Sequence, residues 1–414
     1  MATTKITQVG KRIVNDSSLI FYYDMTNTIR SFKGKPTTNL FAGAVNNYSS
    51  WFNQAVSFTY YTPLPEVKFT ETTSTSGHYI YKTSTVSNTV VYTQSIYVKP
   101  VERSYFQIAP DTGFPSTEYA NFELIGDGSI SGTGSSKATI KLMKTGRYQG
   151  WYRCTYTETS NNGTTNGRMI FALITSSSSA RIESYAGTTD SGVLILDPQL
   201  EASSFATPFV DGTRSNTQAI IDLTGNETVT ANSLTYNSDG TFRFDNGQYI
   251  TLPNAATTFG TGSVSTSVEF WIRPINDVNT TRIPVGHQNV NDQRFYIGIN
   301  SSNWDVGWGN FAWNAGFTGT RPTADYDIYQ HICVTINAGV VSLYKNGVKS
   351  TFSKTDTTVT QSGVFPIGTY FNTSGPDAIY YGTDDIPIFR IYSRTLSETE
   401  VKQNFIAHRK QFGL

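Results

Sequence analysis

The run Val90-Val-Tyr-Thr-Gln-Ser-Ile-Tyr-Val-Lys99 decides the fold class. Read as a strand, it places Val91, Thr93, Ser95 and Tyr97 on one side and Tyr92, Gln94, Ile96 and Val98 on the other, as a side-chain period of two requires. Short runs of the same texture lie around it: Tyr79-Ile-Tyr-Lys82, Ser104-Tyr-Phe-Gln-Ile108, Ala120-Asn-Phe-Glu-Leu124, Trp151-Tyr-Arg-Cys-Thr-Tyr-Thr157 and Met169-Ile-Phe-Ala-Leu-Ile174. Turn signals such as Asp127-Gly128 and Asn162-Gly163 separate them. Many short strands at such spacing predict a β-sandwich.

A second set follows from Ala219 to Tyr392. It includes Thr241-Phe-Arg-Phe-Asp245, Val268-Glu-Phe-Trp-Ile-Arg273, Arg294-Phe-Tyr-Ile-Gly-Ile299, His331-Ile-Cys-Val-Thr-Ile336, Val341-Ser-Leu-Tyr344 and Ile388-Phe-Arg-Ile-Tyr392. Asn346-Gly347 between strand-like runs is the strongest hairpin signal in the chain. One helix is predicted, at the C-terminus: Ser397-Glu-Thr-Glu400 is a capping box, and Val401, Phe405 and His408 follow at helical spacing. The expected fold is all-β, two antiparallel β-sandwich (jelly-roll) domains and a short C-terminal helix.

Composition agrees. The 414 residues suffice for two domains. Lys+Arg and Asp+Glu both number 31, so the net charge is zero, which rules out a strong electrostatic footprint for nucleic acid or an anionic membrane. Aromatics make up 14% of the chain, too many for disorder. Two Cys exclude a disulfide scaffold, and four His argue against a multi-His metal centre. Cys154 and Cys333 sit on strands among apolar neighbours in different expected domains and read as buried free thiols. The N-terminus lacks the apolar core of a signal peptide, and no apolar run reaches the roughly 18 residues of a membrane span. The expectation is therefore synthesis in a cytoplasm, without membrane insertion.

Two resemblances extend this reading. Residues 213–414 resemble the laminin-G-like, concanavalin A-like lectin/glucanase superfamily. The matching phrases are Ile221-Asp-Leu-Thr-Gly-Asn226, Phe242-Arg-Phe-Asp-Asn-Gly-Gln-Tyr-Ile250, Val268-Glu-Phe-Trp-Ile-Arg-Pro274, Gln330-His-Ile-Cys-Val-Thr335 and Phe389-Arg-Ile-Tyr-Ser-Arg-Thr-Leu-Ser397. Residues 37–212 resemble a carbohydrate-binding-module-type jelly roll common in phage structural proteins, through Tyr79-Ile-Tyr-Lys82, Gln94-Ser-Ile-Tyr-Val-Lys-Pro100, Gly150-Trp-Tyr-Arg-Cys154 and Pro198-Gln-Leu-Glu-Ala-Ser-Ser-Phe-Ala-Thr-Pro208. Ser18-Leu-Ile-Phe-Tyr-Tyr-Asp-Met-Thr-Asn27 resembles the opening strand of the lectin-like family in tailed-phage proteins. The expected organisation is an arm (1–16), the first strand of the C-terminal sandwich (17–36), an inserted jelly roll (37–212) and the rest of the sandwich (213–414); the alternative is two sequential domains behind a leader. Insertion into a loop is cheap, because loop-closure cost grows slowly with length.

Candidate chemistry is sparse. A glycosidase needs two carboxylates across a cleft, and the glucanase branch's Glu-x-Asp-x-(x)-Glu strand is missing. No Gly-x-Ser-x-Gly elbow occurs. Glu269 shares a strand face with Trp271 and Arg273, and an ion pair with Arg273 is expected. His331 and Cys333 share a face of a core strand; His78, His287 and His408 have no evident partner. The chain is expected to be no enzyme. Sugar sites combine aromatic faces with short polar groups, and Asn303-Trp-Asp-Val-Gly-Trp-Gly-Asn-Phe-Ala-Trp313 offers that mixture. The candidate carbohydrate-binding residues are Asn303, Trp304, Asp305, Trp308, Asn310 and Trp313, with Tyr370 and Phe371 from a second aromatic-polar stretch. Relatives often hold calcium, for which the candidate ligands are Asp377, Asp384 and Asp385.

The expected function is a structural and adhesive virion surface component of a tailed phage, of decoration, head-fibre or tail-fibre type, contacting host glycans. Residues 1–16 would dock onto other virion proteins, and a homo-oligomer, possibly a trimer, is expected. The alternative is a glycan-degrading enzyme or its accessory module.

Overall fold

The computed structural model of the chain describes residues 12–28, 30–43, 46–237, 241–253, 265–275, 281–288, 294–309, 316–355 and 364–414. The chain divides into two compact units, Met1–Lys35 with Ser215–Leu414, and Pro36–Arg214. The second unit runs to Arg214 rather than to 212 because Thr213–Arg214 pairs with Thr37–Thr38.

The Pro36–Arg214 unit consists chiefly of two six-stranded antiparallel sheets. In one, the strands in order are Ser129–Ser131, Ala120–Glu123, Tyr105–Pro110, Met169–Leu173, His78–Tyr81 and Phe52–Gln54. In the other they are Ala138–Leu142, Tyr152–Thr159, Val91–Pro100, Gly192–Glu201, Val67–Glu71 and Val56–Tyr60. One cluster joins the two inner faces: Tyr92, Ile96 and Val98 meet Phe106, Ile108, Phe122 and Phe171, each nearly or fully buried. Burying such side chains stabilises by about 1.5–3 kcal/mol each. Tyr97, on the opposite side of its strand, stacks on Tyr148 at 3.7 Å instead.

The other unit carries a seven-stranded antiparallel sheet, with Leu19–Asp24 at one edge pairing Asp384–Tyr392. It continues through Thr266–Pro274, Gln330–Asn337, Val340–Lys345, Val348–Thr355 and Phe317–Thr318. A five-stranded sheet faces it across a core that includes Phe21, Phe270, Phe389, Ile297, Trp304 and Trp308. In that sheet Thr281–Gln288 and Thr369–Asn372 run parallel. The hairpin at Asn346-Gly347 has φ of 52° and 74°, the paired positive angles of a type I′ turn.

The helix Glu398–His408 begins at the expected capping box: Ser397 Oγ accepts from the Glu400 N–H, and Glu400 accepts from the Ser397 N–H at 2.8 Å. It lies over the outer face of the seven-stranded sheet, where Phe405 stacks on Trp271 at 5.7 Å. Beneath it a row of directly opposed residues crosses five strands: Tyr22, Arg390, Glu269, Cys333 and Tyr344. This corrects the expected Glu269–Arg273 ion pair. Residues two apart on one strand are farther from each other than cross-strand partners, whose Cβ atoms lie about 5 Å apart. Glu269 therefore accepts from Arg390 Nη1 at 2.6 Å, and Arg273 turns to its own opposite, Asp385. Asn404 Nδ2 donates to both Glu269 oxygens at 3.0 Å, tying the helix to the carboxylate, and His331 Nε2 lies 3.4 Å away. Glu269 and Arg390 are fully buried. Burial alone would raise the Glu269 pKa, but the Arg390 charge and the His331 hydrogen bond prevail and hold it at about 2. His408, which the sequence left without a partner, lies 3.3 Å from Arg390; burial and that guanidinium lower its pKa to about 4. Cys154 and Cys333 are free and buried, and burial pushes both thiols up.

Candidate functional site

The strand His78–Tyr81 alternates strictly. His78 and Ile80 are buried inside the Pro36–Arg214 sandwich, while Tyr79 and Tyr81 stand half-exposed on its outer face. Pairing with Phe52–Gln54 sets Phe52 opposite Tyr81. The three rings form one aromatic surface. Phe52 stacks on Tyr81 with centroids 4.6 Å apart and planes at 16°, and on Tyr79 at 6.0 Å and 28°. Tyr79 and Tyr81 are 6.4 Å apart, at 16°. Phe52 is 44% exposed, enough for a ligand to reach its ring. Beneath the tyrosines lies an outer cluster of Ala109, Ile170 and Ala172, with Ala172 opposite Tyr79 and with Tyr119 and Ile182 packed alongside.

A polar rim borders the rings. The Arg168 guanidinium sits 4.4 Å from the Tyr81 centroid, within cation–π range. Its Nε donates to Asp111 at 2.8 Å, and Arg181 donates to the Pro110 carbonyl at 2.8 Å. Burial raises the Tyr79 phenol pKa, so its hydroxyl keeps its proton and can donate. Asp111 is ion-paired with Arg168, with Arg181 4.0 Å away. The face thus offers ring planes, hydroxyls and guanidinium donors, the complement of a sugar's apolar face and hydroxyl rim, and no opposed pair of carboxylates.

This face was missed from sequence. Its signal is the i, i+2 spacing of Tyr79 and Tyr81 around Ile80.

The residues selected from sequence lie in the other unit. Trp304 and Trp308 are corrected: both are fully buried in the sandwich core, not displayed. Trp304 Nε1 donates to Gln330 at 3.0 Å, and Trp308 meets Phe295 edge-on at 5.9 Å. They do share one strand face, and it is the inward one. On the opposite face lies Asp305, which is fully buried with Arg321 at 3.8 Å, so it too is withdrawn from solvent. Tyr370 shares that outer face and packs edge-on to Tyr296 at 6.4 Å, only 3% exposed. Asn303 spends its Nδ2 on the Ser301 carbonyl, and half-buried Phe371 lies edge-on to Tyr249 at 5.0 Å. Asn310 and Trp313 fall outside the described residues.

The calcium candidates do not converge. Asp377 caps the short 3-10 helix Ala378–Tyr380. Asp384 lies 3.5 Å from Arg282, and Asp385 is held by Arg243 and Arg273. Among the described residues no group of three His, Cys, Asp or Glu could hold a metal ion. Carboxylates committed singly to capping and to guanidiniums do not fit a calcium cage.

No curated protein matches the chain. Among solved structures, the receptor-binding domain of botulinum neurotoxin D matches at 16% identity and a TM-score of 0.35, covering 46% of this chain and 50% of that one. The binding domain of botulinum neurotoxin DC in complex with SialylT matches at 17% and 0.35, covering 46% and 49%. The chain spans about half the length of the solved chains it matches. Residues 244–402, all within the unit that carries the seven-stranded sheet, match the laminin G family model described as the concanavalin A-like lectin/glucanases superfamily.

Proposed function

We propose that this protein is a non-enzymatic glycan-contact protein, displayed on the surface of a tailed-phage virion, with the Phe52–Tyr79–Tyr81 face as its sugar platform. The observation that carries the reading is the set of three near-parallel rings, partly open to solvent and flanked by Arg168. The lectin-type family match over residues 244–402, in the other unit, supports glycan contact by the chain but not the platform itself. The virion setting rests on the phrase Pro198-Gln-Leu-Glu-Ala-Ser-Ser-Phe-Ala-Thr-Pro208 and its likeness to phage structural proteins. In the same reading residues 1–16 dock onto other virion proteins, and the chain self-associates.

The test is glycan binding by the full chain, first on an array and then by calorimetry with the best glycan. Tyr81→Ala removes a half-exposed ring and its contact with Arg168, and is expected to weaken binding at least tenfold, or about 1.4 kcal/mol. Far-UV circular dichroism checks that the variant is folded. Unchanged affinity in a folded Tyr81→Ala protein would overturn the platform; release of reducing ends from a bound polysaccharide would overturn the non-enzymatic reading.

A further inference from the structure

A separate feature belongs to the unit that contains the seven-stranded sheet. A cleft of about 300 Å³ is lined by Met25, Phe242, Pro387 and Tyr329, together with Asn237, Thr241, Arg243, Arg273 and Asp385. Two guanidiniums meet at one carboxylate. Arg243 Nε donates to Asp385 Oδ1 at 2.8 Å, and Arg273 Nε donates to Oδ2 at 2.8 Å. The Nη2 groups of both arginines complete the clasp. Asp385 is nearly buried, while each guanidinium side chain keeps one third of its surface exposed. The Nη1 group of neither arginine hydrogen-bonds to a described residue. The Arg273 guanidinium also lies 5.3 Å from the Tyr329 ring centroid, which fixes its plane.

Among the described residues the lining carries two cations and one anion, with Asp245 acting on Arg243 from a distance. Asp385 holds both forks in place before any ligand arrives, so a second carboxylate meets donors that need little further ordering. Guanidinium forks match planar carboxylates better than point charges do. Tyr329 and Pro387 supply apolar wall, and Asn237 and Thr241 supply polar groups, the mixture that suits a pyranose ring. We infer that this cleft binds the carboxylate of an acidic sugar, with Arg243 and Arg273 as its clasp. The inference does not rest on the aromatic platform.

The test uses the full chain and D-glucuronate, with D-glucose and hexanoate as the neutral-sugar and non-sugar arms, followed by NMR shifts of the arginine Nε–H groups. Glucuronate is expected to give saturable shifts at Arg243 and Arg273, glucose none, and hexanoate markedly weaker ones. Raising the salt to about 1 M should weaken the binding. Arg243→Gln should weaken it about tenfold or more, while Arg243→Lys, which keeps the charge and loses the fork, should recover only part of it. The Nε–H shifts of Arg243 and Arg273 report this cleft alone, which separates it from the platform. Absence of a saturable shift with glucuronate, or full affinity in a folded Arg243→Gln protein, would overturn the site. Equal binding of hexanoate would overturn the sugar assignment.

Discussion

The buried Glu269–Arg390 pair beneath the C-terminal helix gives the sharpest stability prediction. Glu269→Gln keeps the shape and removes the charge. Both residues are fully buried, and Arg390 Nη1 lies 2.6 Å from the carboxylate. The variant would leave a guanidinium buried with no counter-charge. Breaking such a pair costs about 3–5 kcal/mol, because the stranded ion has lost its hydration without compensation. The pH dependence supplies an independent check. Glu269 has a folded pKa of about 2 against an ordinary 4.5. A depressed carboxylate contributes stability that is fully present above 4.5 and is lost as pH falls towards 2, worth about 3 kcal/mol over that window. Glu269→Gln has no such group to titrate. The two proteins should therefore differ by several kcal/mol in urea unfolding at pH 7 and converge as pH falls below 4.5. A gap under about 1 kcal/mol at pH 7, or a gap that stays constant down to pH 3, would refute the reasoning.

His408 should titrate near 4 rather than 6.5, since burial and Arg390 disfavour its charged form; the sign is that stability falls as pH drops from 6.5 to 4, where the unfolded chain takes up a proton that the folded one refuses, and an NMR midpoint near 6.5 would contradict it. Gly307→Ala would place a Cβ 1.8 Å from Cε1 of Tyr296, a ring that is itself buried, and should cost about 1–3 kcal/mol in urea unfolding; a Gly307→Ala protein of unchanged stability would show that the Tyr296 ring can move aside.

Strand texture made the fold class legible. Val91–Pro100 and Thr266–Pro274 read as strands because β-branched and aromatic residues recur without a helical period. The Asn346-Gly347 turn and the Ser397–Glu400 capping box were equally plain, since each is a local device whose chemistry needs only its own few residues. Pairing partners were not legible in the same way. Glu269 and Arg390 are 121 residues apart and meet only because Thr266–Pro274 and Asp384–Tyr392 are neighbours in the sheet. A sequence search along one strand finds Arg273 first, and sheet geometry then overrules it.

The same limit explains the misplaced sugar site. Parity assigns residues to two faces but does not say which face is wet. Trp304 and Trp308 were correctly grouped, and the group turned inward, because a strand covered on both sides offers no polar-apolar alternation to read: Asp305 and Tyr296 on its outer side are as buried as the tryptophans. The Tyr79 and Tyr81 strand differs. His78 and Ile80 are buried and the tyrosines half-exposed, so one face is core and the other open. A tyrosine is a poor discriminator here, being apolar enough for a core and polar enough for a surface. What settles the matter is the neighbouring strand, whose Ala172 and Ile170 lie beneath the tyrosines in one outer cluster. A ligand platform on a sandwich is therefore a property of a cross-strand row, and it becomes readable only once the strand order is known.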